Sequence, residues 1–388
     1  MNIKTVSVII LSYNSSTSII RAIDSVINQT YESIELIISD DGSKDFDGAW
    51  IANYIEKNKN RNIKNYDVLI SERNNGTVKN LIRAFGYYSG DYHMIIGADD
   101  WLYNNNVISK LVNAYKAYHD EPLLICGNAY MCNAQRIPQY RMMNDEDIGI
   151  LVEGNTEKIL NRLRFKCFLL TVATLYRREF LEVVGMPSED YVYLEDWPTF
   201  LQMAKKKVVP VYYPGCVTCH MIGGIANGAK KVNIDQLKTL FKDRQTLFKK
   251  EVIPFLDEMS SEERTGFINR HKAEQANYYN KVVFAGITRT ELIKELFKNE
   301  NAREVAWNNV CVEIKKCICK YGEKIRNIGL YLLGVIITYV LVCFSQPFSY
   351  ENTQIVKTAL AFSAELLCVI MISKLIAKCL TILIDDGN

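Results

Sequence analysis

The first third of the chain predicts an α/β fold: a mainly parallel sheet flanked by helices. Short β-branched runs alternate with helical stretches over about 100 residues, which is the signature of βαβ units. Polar and acidic residues recur just past the end of each run, where an open sheet of this kind collects its ligands.

Val6-Ser-Val-Ile-Ile-Leu11 reads as the first strand from its length and β-branched content. A helix starts near Ser18, with Ile19, Ile20, Ile23, Val26 and Ile27 spaced for one buried face. Glu35 to Ser39 is the second strand, closed by Asp40-Asp-Gly-Ser43, a turn and helix start. A helix from Trp50 to Lys57 leads to a strand from Asp67 to Ser71 and the loop Arg73-Asn-Asn-Gly76. Another helix covers Val78 to Tyr88, and the apolar run Met94 to Ile96 is the strand that ends at Asp99 and Asp100.

In a parallel sheet these strand ends share one edge, so Tyr13, Asp41, Asn74, Asn75, Asp99 and Asp100 converge on a site. Adjacent carboxylates there point to a hard cation, Mg²⁺ or Mn²⁺, which takes carboxylate and phosphate oxygens. A turn with a helix cap explains the Asp-Asp pair equally well at this stage. Neither G-x-G-x-x-G nor G-x-x-x-x-G-K-[ST] follows any expected strand, which argues against a dinucleotide fold or a P-loop. A diphosphate bound here would depend on a metal held by carboxylates.

Val6-Ser-Val-Ile-Ile-Leu-Ser-Tyr-Asn14, Ile38-Ser-Asp-Asp-Gly-Ser43, Asn75-Gly76 with Asn80, and Gly90-Asp-Tyr leading to Ala98-Asp-Asp100 resemble, in order and spacing, the family 2 glycosyltransferases. These are inverting enzymes with the GT-A fold. The resemblance implies a nucleotide diphosphate-sugar donor and a divalent cation. It implies that Asp41 meets the base, that Leu11 and Tyr13 line the base pocket, and that Lys79 contributes to donor binding. Asp99 would lie near the ribose and Asp100 on the metal. Many relatives carry an acid two places before Asp99, where this chain has Gly97, so the division of metal and ribose roles between Asp99 and Asp100 stays open.

Further along, Glu195-Asp196-Trp-Pro reads as a helix N-terminus. The resemblance implies that Asp196 is the general base and Glu195 its support; direct displacement by a sugar hydroxyl needs one such carboxylate. Cys216-Val-Thr-Cys219-His220 fits a haem-attachment pattern, but that chemistry belongs outside the cytosol and no export signal is expected here. Relatives instead carry a His before a small-residue turn, as in His220 followed by Gly223-Gly-Ile-Ala226, which makes His220 the third metal candidate beside Asp99 and Asp100. Arg162, Arg164, Lys166, Arg177 and Arg178 flank the apolar run Phe168 to Leu175. They read as a solvated face, with contact to an acceptor phosphate or an anionic membrane as the alternative.

The net charge of +2 gives no case for nucleic acid, and the 11 cysteines are scattered, which predicts free thiols in a reducing compartment. The expected domains are a catalytic domain over 1–230, a helical extension over 231–325 and membrane-anchoring helices over 326–388. Ile328 to Phe344 is uncharged and long enough to span a bilayer. A second run from Ile355 contains Glu365, so it either spans or lies along the interface. Lysines and Arg326 precede the first run, Lys374 and Lys378 follow in the second, and the link between the runs has no Lys or Arg. This predicts a transmembrane hairpin with both ends, and the catalytic domain, on the cytoplasmic side of the cell membrane. Such an anchor suits a polyprenyl-linked glycan acceptor, as in capsule, exopolysaccharide or O-antigen assembly. The alternative is a nucleotide-sugar- or glycan-binding protein of the same fold without turnover.

Overall fold

A computed structural model of the chain describes residues 3–119, 122–133, 135–221 and 234–283, with a few positions between 301 and 312. The chain divides into two compact units, Met1–Thr288 and Arg289–Asn388. Among the described residues the first unit holds a nine-stranded sheet. Its parallel part is built from β1 (Val6–Ser12), β2 (Ile34–Asp40), β3 (Ile63–Ile70) and β4 (Tyr92–Gly97) in the order β3-β2-β1-β4. The crossovers are α1 (Ile19–Ile27), α2 (Gly48–Asn58) and α3 (Thr77–Phe85).

Strands β1 and β2 are apolar almost without interruption because both of their faces are covered. Alternate residues go to opposite sides. Val6, Val8, Ile10, Leu36 and Ile38 join one core with the α1 residues Ile19, Ala22, Ile23 and Val26. Ile9, Ile37 and Ile95 join the other, with Val78, Leu81 and Ala84 of α3. By contrast β3 is an edge strand and half exposed, which is why its polar first half does not read as strand.

Beyond β4 the sheet is mixed, where the sequence predicts a mainly parallel one. β5 (Trp101–Leu102) and α4 (Val107–Ala117) lead to β6 (Leu124–Cys132) and β7 (Pro138–Arg141), then α5 (Asp145–Glu153), α6 (Thr156–Phe165) and β8 (Thr174–Arg177). The chain then runs through α7 (Glu179–Val184) and α8 (Trp197–Lys205) to β9 (Val211–Met221). β8 pairs antiparallel with both β4 and β6, while β6 and β9 are parallel. Within β6, Gly127 is where β9 comes close: a Cβ there would stand 2.6 Å from Val217 Cγ2.

Two helices expected in the extension, α9 (Ile234–Leu247) and α10 (Ser261–Tyr278), fall inside the first unit. They and the turn between them bury Leu240, Leu247, Val252 and Phe267, and the Phe267 ring meets Phe165 of α6 edge-on at 5.4 Å. Ser260 and Glu263 close a reciprocal capping box at the start of α10. Among the described residues no helix is long and apolar enough to cross a membrane. The expected anchor over 326–388 and the Gly223–Ala226 turn lie outside the described residues.

Candidate active site

The register of the parallel strands sets the level of the site. Leu11 pairs with Ser39 and Gly97, and Ser12 pairs with Asp40, so three chain segments leave the sheet side by side. Asp40 is spent on holding them: it accepts from Ser12 Oγ at 2.9 Å and from Ser43 N–H and Oγ–H at 2.8 and 2.7 Å. Asp41 follows in the turn past β2. Gly42 makes this turn with φ +75°, and its missing side chain leaves room for the backbone of Arg73, 2.6 Å from where a Cβ would be. Asp41 is 3 % exposed and accepts from the N–H groups of Asn75 and Gly76 at 3.0 and 2.8 Å. Burial raises its carboxyl above the usual range, against the pull of those two amides.

Tyr13, just past β1, is exposed, while Leu11 is half-buried and its carbonyl accepts from Ala98 N–H at 2.9 Å. Burial raises the half-buried Tyr193 phenol, and the charges of Tyr13, Asp243 and Asp41 raise it further. One corner of the edge holds Tyr13 and Asp41, where β1 and β2 end side by side and Asp41 N–H donates to the Ser12 carbonyl at 2.9 Å. Lys79 is not part of it by contact: it is exposed on α3, and its ammonium lies 3.7 Å from Glu189.

The second corner holds the acid pair. Asp100 is 1 % exposed; its Oδ1 lies 2.8 Å from His220 Nδ1, and its Oδ2 accepts from Gly97 N–H at 3.3 Å. His220 reaches this point because β5 pairs with β9, setting Trp101 opposite Cys219. Burial disfavours the imidazolium, but the Asp100 hydrogen bond and the two carboxylates outweigh it and hold the His220 pKa above its usual value. Burial and then the Asp100 charge raise Asp99. Arg21 of α1 donates to the Asp99 carbonyl at 2.7 Å and lies 4.2 Å from the Trp101 ring centre.

Adjacent acids, one raised by the other's charge, are a donor set that a divalent cation would relieve. Among the described residues no group of three or more His, Cys, Asp or Glu is arranged to enclose a metal. Gly97 lies against both carboxylates. A Cβ there would stand 2.8 Å from Asp99 Oδ1 and 3.1 Å from Asp100 Oδ2.

The third group is Glu195 and Asp196. Asp196 caps α8, accepting from Trp197 N–H at 2.6 Å, and Pro198 sits in the first turn as the sequence predicts. The Cys167 thiol donates to the other Asp196 oxygen at 3.7 Å. Burial raises both carboxyls; for Glu195 the Asp196 charge adds to it, while for Asp196 the Trp197 amide, Cys167 and Arg244 of α9 pull the other way. Buried acids with a structural task differ. Glu35 accepts from Ser7 and Ser89, and these bonds hold it below the usual range despite its burial.

Residues 7–185 match the family model "Glycosyl transferase family 2". Over that stretch the chain is similar to the family 2 glycosyltransferases. An uncharacterized glycosyltransferase of Haemophilus influenzae is 27% identical over 215 residues, covering 55% of this chain and 77% of that protein. The "PGL/p-HBAD biosynthesis glycosyltransferase" of Mycobacterium bovis is 25% identical over 223 residues, covering 57% of this chain and 78% of that one. Among solved structures, the Pyrobaculum calidifontis mannosyltransferase PcManGT in complex with GDP-Man and Mn²⁺ is 14% identical, with a TM-score of 0.47 over 83% of this chain and 84% of that one. The sheet with its flanking helices fits the GT-A fold.

The glycosyltransferase domain match covers Asp41, Asp99 and Asp100 and ends before Glu195, Asp196 and His220. The structure places His220 against Asp100. It also adds Arg21, Tyr193 and Cys167, none of which the sequence singles out. Arg21 lies between the apolar positions of α1, where a solvent-facing residue is expected, and Cys167 looks like any apolar position, so neither carries a signal. The basic group resolves into fixed partners. Arg162 and Lys166 bind Asp147, Arg177 binds Glu179, and Arg178 donates to the Gly90 carbonyl. Arg164, 9 % exposed, donates to Asn161 Oδ1 at 3.2 Å, and its guanidinium lies 3.9 Å from the Phe255 ring centre. Among the described residues Cys126, Cys132, Cys167, Cys216 and Cys219 are not disulfide-bonded.

Proposed function

We propose that the chain is an inverting glycosyltransferase that moves one sugar from a nucleotide diphosphate-sugar to an acceptor hydroxyl. The observation that carries this reading is the juxtaposition of Asp99, Asp100 and His220 at the edge of the sheet that also presents Asp41. In this reading Asp41, Tyr13 and Leu11 receive the base, and Lys79 serves the donor from the rim. Asp99 lies toward the ribose. Asp100, with Asp99 and His220 beside it, would hold Mn²⁺ or Mg²⁺, and the bound ion would supply stabilisation of the leaving diphosphate. Asp196 takes the proton of the acceptor hydroxyl as its oxygen bonds to the anomeric carbon and the bond to the diphosphate breaks. A carboxyl raised by burial is a stronger base for that task than an exposed one. Glu195 supports it.

The acceptor in this reading is a polyprenyl-linked glycan, and the chain works at the cytoplasmic face of the membrane, held by the apolar segments over 326–388. The test is a panel of nucleotide-sugars assayed for nucleoside diphosphate release with and without Mn²⁺, followed by Asp196→Asn. The variant is expected to lose sugar transfer by about a thousandfold or more while binding donor normally. Transfer at the wild-type rate would remove Asp196 from the reaction, and donor binding without any release would make the protein a binding module.

A further inference from the structure

Helix α9 carries a buried acid for which the transfer reaction has no use. Asp243 is 2 % exposed. Its Oδ2 accepts from three successive backbone amides: Val192 at 3.0 Å, Tyr193 at 2.7 Å and Leu194 at 3.3 Å. Consecutive N–H groups turned toward one point make an anion-holding nest. Here a side chain 50 residues further along the chain fills it.

The other side of the same segment is held from the nucleotide corner. Val192 O accepts from Val78 N–H at 3.0 Å, and Gly76, at φ +92°, packs so closely that a Cβ would stand 2.7 Å from that oxygen. Gly76 N–H is itself a donor to Asp41. Residues 192–194 are thus a strap fastened on one side to the start of α3, whose Gly76 holds Asp41, and on the other to α9. The next two residues are Glu195 and Asp196.

We propose that Asp243 is a positioning residue. It pins the strap and thereby sets where the Glu195–Asp196 carboxylates stand relative to the donor corner. The inference rests on reading those two acids as the base of a glycosyl transfer, and its test has one arm that does not.

Asp243→Ala and Asp243→Asn are made in the full-length protein. Asparagine keeps an acceptor oxygen at the nest, and alanine removes it. Hydrogen exchange is followed in peptides covering 190–196, and kcat is expressed per donor-binding site counted by calorimetry. The alanine variant is expected to exchange the strap amides about tenfold faster or more, with a comparable loss of kcat, while asparagine restores most of both. Unchanged exchange in the alanine variant overturns the proposal. So does wild-type kcat per site, or an asparagine variant as impaired as alanine. Should alanine prevent folding, Asp243→Ser replaces it with the same expectations. If the wild-type protein transfers no sugar from any donor, the functional reading fails, and the exchange arm still decides whether Asp243 holds the strap.

Discussion

Gly97 and Gly76 both lack room for a side chain, yet the consequences of filling them differ. At Gly97 the atoms in the way are carboxylate oxygens, Asp99 Oδ1 at 2.8 Å and Asp100 Oδ2 at 3.1 Å. Such tips swing aside at little cost to the fold. At Gly76 the obstacle includes the Val192 carbonyl, and the φ of +92° strains any L side chain. Gly97→Ala is therefore expected to leave the thermal midpoint nearly unchanged while weakening Mn²⁺-dependent donor binding about tenfold, near 1.4 kcal/mol, because the group that yields is the binding group itself. Calorimetry with and without Mn²⁺ alongside thermal unfolding separates the two effects. A large drop in the midpoint with intact donor affinity would mean the acids are not ligands.

At the scale of elements, the candidate residues stand in the turns just past strand ends and at one helix start. Local chemistry there was legible: Asp41 before a glycine at positive φ, Asp99–Asp100 after an apolar strand, Asp196 as a cap before Pro198. Each signal spans only a few residues. The pairing of distant elements was not legible in the residues themselves. The resemblance alone groups His220 with Asp99 and Asp100; physically, β9 brings it there because it pairs with β5, and α9 faces the start of α8 through tertiary packing. Helix α9 has a testable electrostatic consequence. The Arg244 guanidinium favours the charged form of Asp196, opposing burial, with the Trp197 amide and Cys167 acting in the same direction. Removing that charge in Arg244→Gln raises the Asp196 pKa further. A base works when ionised, so the acid limb of the kcat/KM profile is expected to move to higher pH, with the alkaline plateau retained. A limb that stays in place, or moves down, would separate Arg244 from the base.

The whole molecule raises the question of where the catalytic unit ends. Composition changes near residue 230, where the chain becomes helical and charge-rich, and that shift marks the boundary expected from sequence. Packing continues past it: Leu240, Leu247, Val252 and Phe267 are buried within the unit that runs to Thr288. A buried side chain of this size contributes about 1.5–3 kcal/mol, so the four together approach roughly 6–12 kcal/mol. That is comparable to the entire stability of a typical domain, about 5–15 kcal/mol. The charged residues between them hide this contribution from any average over the sequence. A chain ending at 230 is therefore expected to aggregate or fail to bind donor, since it loses this core and Asp243 together. A chain ending at Thr288 is expected to fold, bind donor and hydrolyse it slowly, and to stay in the soluble fraction because the apolar segments over 326–388 are gone. Expression of both, followed by fractionation and donor calorimetry, decides the matter. A stable, donor-binding 1–230 fragment would show that α9 and α10 are accessories, and a membrane-bound 1–288 fragment would require an attachment face on the catalytic unit itself.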